Sequence, residues 1–307
     1  MKVLVAGGGA FGREHLRTLA ALEVECAVAD LRPEALAALR AEFALADVDT
    51  DMLSLVKRFR PDGIVVATPA ASHEALATEA LRQGIPVLVE KPLADATQAA
   101  ERLCEAAKRS SAFLQPGHIL RFSAGHQALL GILKRGEIGK LLRFSSRRYR
   151  DSSHAGRYPD VDPVLMTLIH DIDLALWFDG GPPRKVEAHR RPPGQADSLT
   201  TVFVQSASGA EWLLSTAWLH SGPHCPPDRV EIIGTSGSAE LEVGSHIDLF
   251  GAEPRRVGLG DDDPLITELR CFLEGVRDGR SHSPVSPEEA LSGLRLAEAI
   301  VAEIGRR

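Results

Sequence analysis

The sequence predicts an α/β protein with an N-terminal doubly wound parallel sheet, followed by an α+β domain with a large, open, mostly antiparallel sheet. Over about the first 120 residues, apolar strand segments alternate with segments of helical periodicity, which is typical of parallel strands joined by crossover helices. Beyond that point, strand segments follow one another with few helices between them. We therefore expect two domains, residues 1–120 and residues 121–307.

The strands predicted in the first domain are short apolar runs that end in polar or turn residues: Lys2–Ala6, Cys26–Asp30, Gly63–Thr68, Pro86–Glu90 and Phe113–Gly117. The helices predicted between and after them are Glu14–Leu22, Pro33–Phe43, Met52–Phe59, Ser72–Gln83 and Asp95–Ser110. Gly84 ends one helix, and Asp95 is expected to cap another. Residues 64–66 and 87–89 are apolar on both faces, as buried parallel strands are.

The second domain is predicted to open with four segments: a helix over Phe122–Lys134, a strand over Leu141–Tyr149, a loop over Arg150–Asp162 and a helix that carries Met166–Leu174. The segments predicted as strands after them are Lys185–His189, Leu199–Gln205, Trp212–Leu219, Val230–Gly234 and Ala239–Val243. Ser208-Gly209 and Ser236-Gly237 indicate hairpin turns. The closing helices are Leu265–Arg277 and Pro287–Ile304.

Composition narrows the class of protein. The 307 residues suffice for two domains, and 44% hydrophobic with 25% charged residues is ordinary for a soluble globular chain. A net charge of −7 argues against nucleic acid or an anionic membrane as partner, and no apolar run is long enough to cross a bilayer. No secretory pattern or C-x-x-C pair is present, so we expect a cytoplasmic protein with reduced thiols. The cysteines are Cys26, Cys104, Cys225 and Cys271.

The first strand runs directly into a glycine-rich segment. Gly7, Gly9 and Gly12 have the G-x-G-x-x-G spacing, with Ala10 and Phe11 inside the motif. The first glycine allows a tight turn, the second lets the backbone approach a pyrophosphate, and the third lets helix and strand pack closely. The following helix offers its first N–H groups to phosphate oxygens. The segment therefore predicts a dinucleotide-binding Rossmann domain, with these five residues at the cofactor.

Cofactor preference is expected to depend on two residues after the second strand. Asp30 lies about 20 residues past the glycines, where a carboxylate holds the ribose hydroxyls of NAD and repels the 2′-phosphate of NADP. Arg32 is a counter-signal, because a guanidinium at this place pairs with that phosphate. Alternatively, Arg32 is a solvated residue beside Pro33 at a helix start. We favour that alternative and NAD as the cofactor, with NADP possible.

Two further motifs follow strands of the first domain. Glu90-Lys91-Pro92 ends a buried strand, at the edge where doubly wound sheets bind ligands. A lysine beside a cationic nicotinamide loses proton affinity, which suits Lys91 to accept the proton of a substrate hydroxyl. Alternatively, it is a surface lysine in a loop. Thr68-Pro69 is expected to line the nicotinamide or ribose, and His73 either joins it or simply starts its helix.

The helix around residue 170 carries a second candidate pair. His170 and Asp173 are three residues apart and share one helix face, whereas Asp171 points elsewhere. The pair is either a proton-transfer couple, in which the acid orients the ring, or a core histidine satisfied by its neighbours. A metal is not expected, because the other possible ligands match no standard spacing. They are His220, His224 and Cys225.

Together these motifs resemble those of the glucose–fructose oxidoreductase / inositol dehydrogenase / MocA (Gfo/Idh/MocA) family over nearly the whole chain. The matching segments are Gly7–Gly12, Thr68-Pro69 with His73, Glu90-Lys91-Pro92, Gly117–Phe122, His170–Asp173, Ile233–Gly237 and the closing helices around Glu268 and Ala297. The Glu-Lys-Pro motif is the most specific. Residues 117–122 and 170–173 look most like members that act on sugar nucleotides, such as UDP-N-acetylhexosamine dehydrogenases.

The resemblance implies a Rossmann domain joined to a domain with a large open sheet. It also implies NAD- or NADP-dependent hydride transfer at a secondary alcohol or ketone of a sugar, sugar nucleotide or cyclitol. Lys91 falls on the family's catalytic lysine, and His170 on the histidine that serves as acid/base or holds the reacting hydroxyl. The residues expected at the substrate are these two with His118, Arg121 and Asp173, and those at the cofactor include Glu90 and Lys91. Further specificity is expected from residues 149–162 and 218–225.

One position departs from the family. Many members carry Asp four residues before the histidine, where this chain has Met166. Either another acid substitutes (Asp160, Asp162 or Asp173), or the substrate needs no such contact, or catalysis is weakened and the protein is a dinucleotide-binding sensor. NAD-dependent glycoside cleavage is a further alternative. The family also implies a homodimer or homotetramer that pairs through the outer face of the open sheet, for which a solvated face is the alternative.

Overall fold

The computed structural model describes residues 1–157, 161–192, 198–220 and 225–306. The chain divides into two compact units. The first unit comprises Met1–Ile119 and Pro264–Leu291, and the second comprises Leu120–Asp263 and Ser292–Arg307. None of the helices in the described ranges has the length and apolar character that crossing a lipid bilayer requires.

The strands of the described residues are β1 (Lys2–Ala6), β2 (Glu25–Ala29), β3 (Asp47–Asp49), β4 (Gly63–Val66), β5 (Val87–Glu90), β6 (Leu114–Gly117), β7 (Leu141–Asp151), β8 (Pro183–Arg191), β9 (Leu199–Ser206), β10 (Glu211–His220), β11 (Arg229–Gly234), β12 (Ser238–Glu242), β13 (His246–Phe250) and β14 (Arg255–Gly258). The helices are α1 (Ala10–Ala21), α2 (Pro33–Glu42), α3 (Met52–Phe59), α4 (His73–Arg82), α5 (Thr97–Arg109), α6 (Ala124–Lys134), α7 (Ser153–Arg157), α8 (Ile169–Asp179), α9 (Pro264–Asp278) and α10 (Pro287–Gly305).

The first unit is built on a parallel sheet. Its strands, counted over the described residues, are six, in the order β3-β2-β1-β4-β5-β6, and every pair is parallel. The residues of β4 and β5 are all buried, because helices cover both faces of the sheet. The strand order reverses between β1 and β4, so their carboxyl ends open the crevice at which such sheets bind ligands. The predicted doubly wound sheet is confirmed.

Helix α9 completes the core of the first unit, although it lies far along the chain from the sheet. Leu265, Leu269 and Phe272 enter the apolar cluster that also holds Val3 and Val5 of β1. The Phe272 ring lies edge-on to that of Phe113, with centroids 5.6 Å apart. We expected this helix in a second domain of residues 121–307. In the structure Pro264–Leu291 belongs with the first unit, because α9 buries its apolar face there.

The second unit is built on a large, mostly antiparallel sheet, as predicted. Over the described residues its eight strands have the order β14-β13-β12-β11-β7-β10-β9-β8, and only the β7–β10 pair is parallel. One face is buried and contacts α6 and α8. Residues aligned across that face include Ala239, Ile232, Phe144, Trp212 and Val204. Phe250, with about half of its surface exposed, and Leu213 lie on the opposite, outer face.

Several element boundaries differ from those predicted. Strands β3, β13 and β14 were not predicted, and the expected loop over Arg150–Asp162 holds the end of β7 and the short helix α7. Asp95 was wrongly expected to cap α5: the N-cap is Ala96, and no described side chain caps that helix. The hairpin turn at Ser208-Gly209 is confirmed, with Gly209 at φ 94°.

Candidate active site

Of the three glycines with the G-x-G-x-x-G spacing after β1, one is open and two are crowded. Gly7 has φ 99°, and a Cβ there would lie 2.6 Å from the carbonyl oxygen of Ala67. A Cβ on Gly12 would lie 1.9 Å from the carbonyl oxygen of Gly7. At Gly9 no described atom lies within 4 Å of the Cβ position. Gly7 and Gly12 are therefore required by the fold itself, whereas Gly9 leaves room for a ligand.

Helix α1 starts beside this opening. Gly9 is its N-cap, no side chain in the described ranges caps it, and its first turn carries no acidic residue. Its first N–H groups are thus available to an anion. A hollow of about 480 Å³ lies in front of them, and the residues that line it include Gly8, Gly9, Ala10, Arg13, Arg32 and Glu34. The open cradle at Gly9 and this hollow fit the phosphate and ribose part of a dinucleotide.

Asp30 lies at the carboxyl end of β2, beside the glycine turn. Its Oδ2 accepts a hydrogen bond from the Gly8 N–H at 2.8 Å. The Arg32 guanidinium donates from Nε to Oδ1 and from Nη2 to Oδ2, both at 3.1 Å. Burial raises the pKa of Asp30, but the hydrogen bonds from Arg32 and Gly8 outweigh it and hold that pKa below its ordinary value of 3.8. Arg32 is therefore not simply solvated, since it forms an ion pair with Asp30.

His73 connects the loops that follow β4 and β5. The residue starts α4 and is 1% exposed. Its Nε2 lies 2.8 Å from the carbonyl oxygen of Thr68, and its Nδ1 lies 3.0 Å from that of Pro92. Burial lowers its pKa, although both hydrogen bonds act in the opposite direction. Because both ring nitrogens face carbonyl oxygens of the protein, and the neutral ring donates to one of them, this geometry supports a brace between loops rather than a direct contact with cofactor.

Lys91 follows β5 at the carboxyl edge of the sheet. Its backbone N–H donates to Oε2 of Glu90 at 3.2 Å. The other oxygen of Glu90 lies 2.8 Å from Nε2 of His15, a fully buried residue of α1. Glu90 itself is only 6% exposed. The Glu90 carboxylate, predicted at the cofactor, therefore holds the main chain of the candidate catalytic lysine.

In the second unit, α8 carries His170 and follows a π-helical turn over Val164–Leu168. Such wide turns are frequent at functional sites. The two acids after His170 are both buried and both paired with arginine. Asp171 receives hydrogen bonds from Arg148 of β7, with Nε 3.0 Å from Oδ2. The ion pairs of Asp171 and Asp173 thus hold α8 in place. His170, on the same helix, is partly exposed.

The second of these pairs joins Asp173 to Arg121. Their hydrogen bonds are bidentate at 2.8 and 2.7 Å, and the two side chains are 2% and 4% exposed. The Arg121 guanidinium also lies 5.5 Å from the ring centroid of Trp177. Both residues were expected at the substrate. In the structure their charged groups lie against each other, because a buried carboxylate is stable only when it is paired, and their contact with a substrate stays a prediction.

The acids considered as replacements at the Met166 position are similarly engaged. Asp162 receives two hydrogen bonds from Arg190, at 2.8 and 2.6 Å, and accepts another from the Val164 N–H. Asp160 lies outside the described residues, as do His224 and the side chain of His220. No group of three or more metal-ligating side chains occurs in the described part of the chain.

Two residues at the candidate site were missed by sequence reasoning. His15 has the helical spacing of a core position on α1, and Glu268 has that of an ordinary polar position on α9. Both are fully buried. The signal for Glu268 was its place in a helix of the family resemblance, which was noted without a role. His118, expected at the substrate, is 2% exposed in the segment after β6.

Comparison with known proteins agrees with the two folds described above. The "Oxidoreductase family, NAD-binding Rossmann fold" profile matches residues 1–118, and the "GFO/IDH/MocA C-terminal domain" profile matches residues 126–240. Inositol 2-dehydrogenase 2 of Saccharopolyspora erythraea is 33% identical over 248 residues, which cover 78% of this chain and 73% of that protein. The chain belongs to the Gfo/Idh/MocA family. It is therefore an oxidoreductase with a Rossmann domain for a nicotinamide cofactor.

Other members of the family align over almost the whole length. An inositol 2-dehydrogenase of Pseudomonas fluorescens is 27% identical, with 97% of this chain and 92% of that protein covered. UDP-N-acetylglucosamine 3-dehydrogenase GnnA from Acidithiobacillus ferrooxidans has the same fold, with a TM-score of 0.87, 23% identity and coverage of 100% and 98%. Scyllo-inositol dehydrogenase from Lactobacillus casei, solved with NAD(H) and scyllo-inositol, gives a TM-score of 0.86 at 20% identity, with 100% and 97% covered.

Proposed function

We propose that this protein transfers a hydride between NAD and a secondary alcohol or ketone of a cyclitol or sugar. The observation that carries the proposal is Lys91, whose main chain is held by buried Glu90 at the carboxyl edge of the Rossmann sheet. Loops at this edge carry Gly7 and Thr68, which lie against each other in the first unit. Family membership and the names of the inositol dehydrogenase relatives support the reaction class.

The chain's own groups would bind, orient and move a proton. The Gly9 cradle and the first turn of α1 would hold the pyrophosphate, and Asp30 the adenosine ribose. Lys91 or His170 would take the hydroxyl proton, and the positive charge of Lys91 would stabilise developing alkoxide character. Bound nicotinamide supplies the hydride acceptor. We retain Arg121 and Asp173 as residues that position the substrate region through the α8 ion pair.

The cyclitol class is favoured by the 33%-identical relative, which is named an inositol 2-dehydrogenase. A sugar nucleotide is the other substrate to test, because the fold is shared with a UDP-N-acetylglucosamine 3-dehydrogenase. The two classes are distinguished by measuring nicotinamide absorbance with a panel of substrates. The panel contains inositol isomers, free sugars and UDP-N-acetylhexosamines, each tested with NAD and with NADP. Turnover of cyclitols alone would support the proposal, and turnover of UDP-sugars alone would contradict its substrate class.

Lys91→Ala tests the proposed chemistry. We expect kcat to fall by about 10²- to 10⁴-fold, because general acid–base help is worth that much, while the dissociation constant of NADH is kept. His170→Ala is expected to lose activity as well. Lys108→Ala, on the exposed face of α5, is the matched control and should keep wild-type turnover. Near-normal kcat in Lys91→Ala would exclude the assigned role.

A dinucleotide-binding sensor without turnover is a second candidate, favoured by one observation. Met166 replaces the usual acid, and the described acids nearby in sequence, Asp162 and Asp173, are each held by an arginine. Titration with NADH by fluorescence, followed by the same substrate panel, separates the two functions. Tight NADH binding with no redox change in any mixture would favour the sensor over the dehydrogenase.

A further inference from the structure

A group of buried polar side chains lies inside the first unit and includes Glu90, the residue before Lys91. We call it the carboxyl cluster: His15 of α1, Glu90 of β5, Gln115 of β6 and Glu268 of α9. Three of them are 0% exposed, and Glu90 is 6% exposed. Each of the two carboxyl groups therefore lies where water is largely excluded, and a charge on either one needs compensating partners.

Glu90 has the partners that an ionised carboxylate needs. Its Oε2 accepts the Lys91 backbone N–H at 3.2 Å, and its Oε1 lies 2.8 Å from Nε2 of His15. Each carboxyl oxygen thus faces a nitrogen from a different element. A buried charge is retained when hydrogen bonds of this kind compensate for its lost hydration.

Glu268 is in the opposite situation. Neither of its carboxyl oxygens has a hydrogen-bond partner among the residues that the structure describes. The Gln115 side chain reaches only the backbone carbonyl of Glu268, at 3.4 Å. Burial first, and then repulsion from the charge on Glu90, raises the pKa of Glu268 well above its ordinary value of 4.5. Two like charges at such a site cannot both persist, so one of the two carboxyls retains a proton.

We propose that Glu268 is a neutral carboxylic acid at neutral pH and that Glu90, left as the single negative charge of the carboxyl cluster, is a positioning residue for Lys91. The role of Glu90 rests on the proposed function, in which Lys91 is the catalytic lysine. The neutral state of Glu268 does not depend on that function, because it follows from burial and missing partners.

The carboxyl cluster also connects Lys91 to the helix that carries the glycine motif. His15 lies on α1, and its ring packs edge-on against Phe11 of the motif, with centroids 5.1 Å apart. From Phe11 the contacts run to His15, then to Glu90, and then to the Lys91 N–H. Glu90 therefore fixes the lysine main chain relative to the helix that would hold the cofactor phosphates, which is how a positioning residue acts on hydride transfer.

The charged and titratable groups that face Glu90 and Glu268 come from four elements. They are His15 on α1, His73 at the start of α4, Cys271 on α9 and the two glutamates themselves, on β5 and α9. Because the folded protein retains a proton on Glu268 that the unfolded chain loses above pH 4.5, stability falls as pH rises from there toward the raised pKa. Glu268→Gln replaces the neutral acid by a neutral amide and removes this dependence.

The first test measures the protonation of Glu268 with no reference to activity. An infrared difference spectrum of the protein at pH 7, wild type minus Glu268→Gln, should show the C=O band of a protonated carboxylic acid. The melting temperature of Glu268→Gln minus that of the wild type should increase as pH rises from 5 to 8. Glu274→Gln, an exposed position on the same helix, is the control and should do neither. Absence of the band, with a melting difference that does not change with pH, would overturn the assignment.

The second test asks whether Glu90 acts through Lys91. Glu90→Gln keeps an acceptor for the Lys91 N–H but removes the charge, and we expect kcat to fall about 10- to 100-fold with little change in the NADH dissociation constant. Combined with Lys91→Ala, it should cause no further loss, because two residues of one path are not additive. An additive loss, or wild-type kcat in Glu90→Gln, would overturn the positioning role.

If Glu90→Gln does not fold, His15→Phe takes its place in the double-mutant comparison with Lys91→Ala. Phenylalanine fills a similar space but cannot form the hydrogen bond to Glu90. A normal kcat in Lys91→Ala would count against the proposed function and against the role of Glu90 that rests on it. The infrared and melting results would still decide the protonation of Glu268.

Discussion

The negative charge on Asp30 is already compensated by hydrogen bonds within the protein. Gly8 and Arg32 donate three of the hydrogen bonds that hold its pKa low, so the carboxylate stays ionised across the physiological range. The Arg32 side chain is 58% exposed, and exposed ion pairs contribute little stability. Arg32 is therefore able to leave Asp30 at small cost. In the proposed function, the pair would therefore offer a carboxylate to the ribose of NAD and a cation to the 2′-phosphate of NADP.

Two substitutions at this pair test the cofactor preference. Asp30→Ala should raise the Michaelis constant for NAD by about tenfold or more, since one lost charged hydrogen bond costs about 1.5–3 kcal/mol, and should improve the relative use of NADP. Arg32→Ala should leave the Michaelis constant for NAD largely unchanged and should lower any activity that the protein has with NADP. Steady-state kinetics with both cofactors measures the ratio. An Asp30→Ala variant with the wild-type ratio would contradict the ribose contact.

Individual partners were harder to predict than individual motifs. Local patterns indicated Gly7, Asp30 and Lys91, because turn chemistry and strand ends are encoded in neighbouring residues. The Arg121–Asp173 pair joins positions 52 residues apart, so no local pattern reveals it. Glu268 is 153 residues from Gln115, the side chain that contacts its backbone, and on sequence alone it is one polar residue of an amphipathic helix.

At the scale of elements, the turn between β1 and α1 holds glycines that the fold requires and one, Gly9, that the fold does not require and that is predicted to bind the cofactor. A methyl group at Gly12 would collide with the Gly7 carbonyl, which is backbone that cannot move without disturbing β1. A methyl group at Gly9 meets no described atom. The same change, glycine to alanine, should therefore have opposite consequences at two positions three residues apart.

We expect Gly9→Ala to keep the wild-type melting temperature and to weaken NADH binding by about tenfold or more, because the methyl group occupies the phosphate cradle. Gly12→Ala should lower the melting temperature by several degrees before any ligand is added. Thermal unfolding by circular dichroism and NADH titration by fluorescence measure the two effects. If Gly9→Ala binds NADH normally, the cradle is not where the pyrophosphate lies.

The elements themselves were predictable to different degrees for physical reasons. Strands β1, β4 and β5 are continuous apolar runs, because helices cover both of their faces. Strand β3 has the sequence Asp-Val-Asp and, among the described strands, pairs only with β2, so it lacks that signal. Strand β14 is exposed at all four residues and carries no burial pattern. Short strands with few buried apolar residues, such as these two, are thus the ones that sequence patterns describe least.

At the scale of the whole molecule, the outer face of the second sheet is a candidate for self-association. The residues aligned across it mix apolar and charged side chains: Leu213, which is 39% exposed, is paired with Ser145, and Ser145 with Glu231 on the next strand. We propose a homodimer or homotetramer that pairs through this face.

Leu213→Asp should then shift the mass toward the monomer in size-exclusion chromatography with light scattering. Gln98→Asp, which adds the same charge at an exposed position of α5 in the first unit, is the control and should keep the wild-type mass. An unchanged mass in Leu213→Asp would place the interface elsewhere or exclude it.

The path of the chain through the first unit has a consequence for how that unit folds. Three core side chains, Leu265, Leu269 and Phe272, arrive from α9 after the whole second sheet has been synthesised. Burial of such side chains stabilises by about 1.5–3 kcal/mol each, so together they are worth on the order of 6 kcal/mol. That is comparable to the entire stability of a typical domain. The Rossmann sheet alone should therefore be incomplete.

A chain of residues 1–119 alone should unfold without a cooperative transition and should not bind NADH. The same chain joined by a flexible linker to residues 264–291 should regain both properties, because α9 restores the core and Glu268 returns to Glu90. Circular dichroism on heating and NADH fluorescence compare the two. The joined chain with Leu269→Asp is the control for non-specific effects of the added helix, and it should behave as residues 1–119 do. Equal stability of all three chains would mean that the parallel sheet needs only its own helices, and that α9 packs on a core already complete without it.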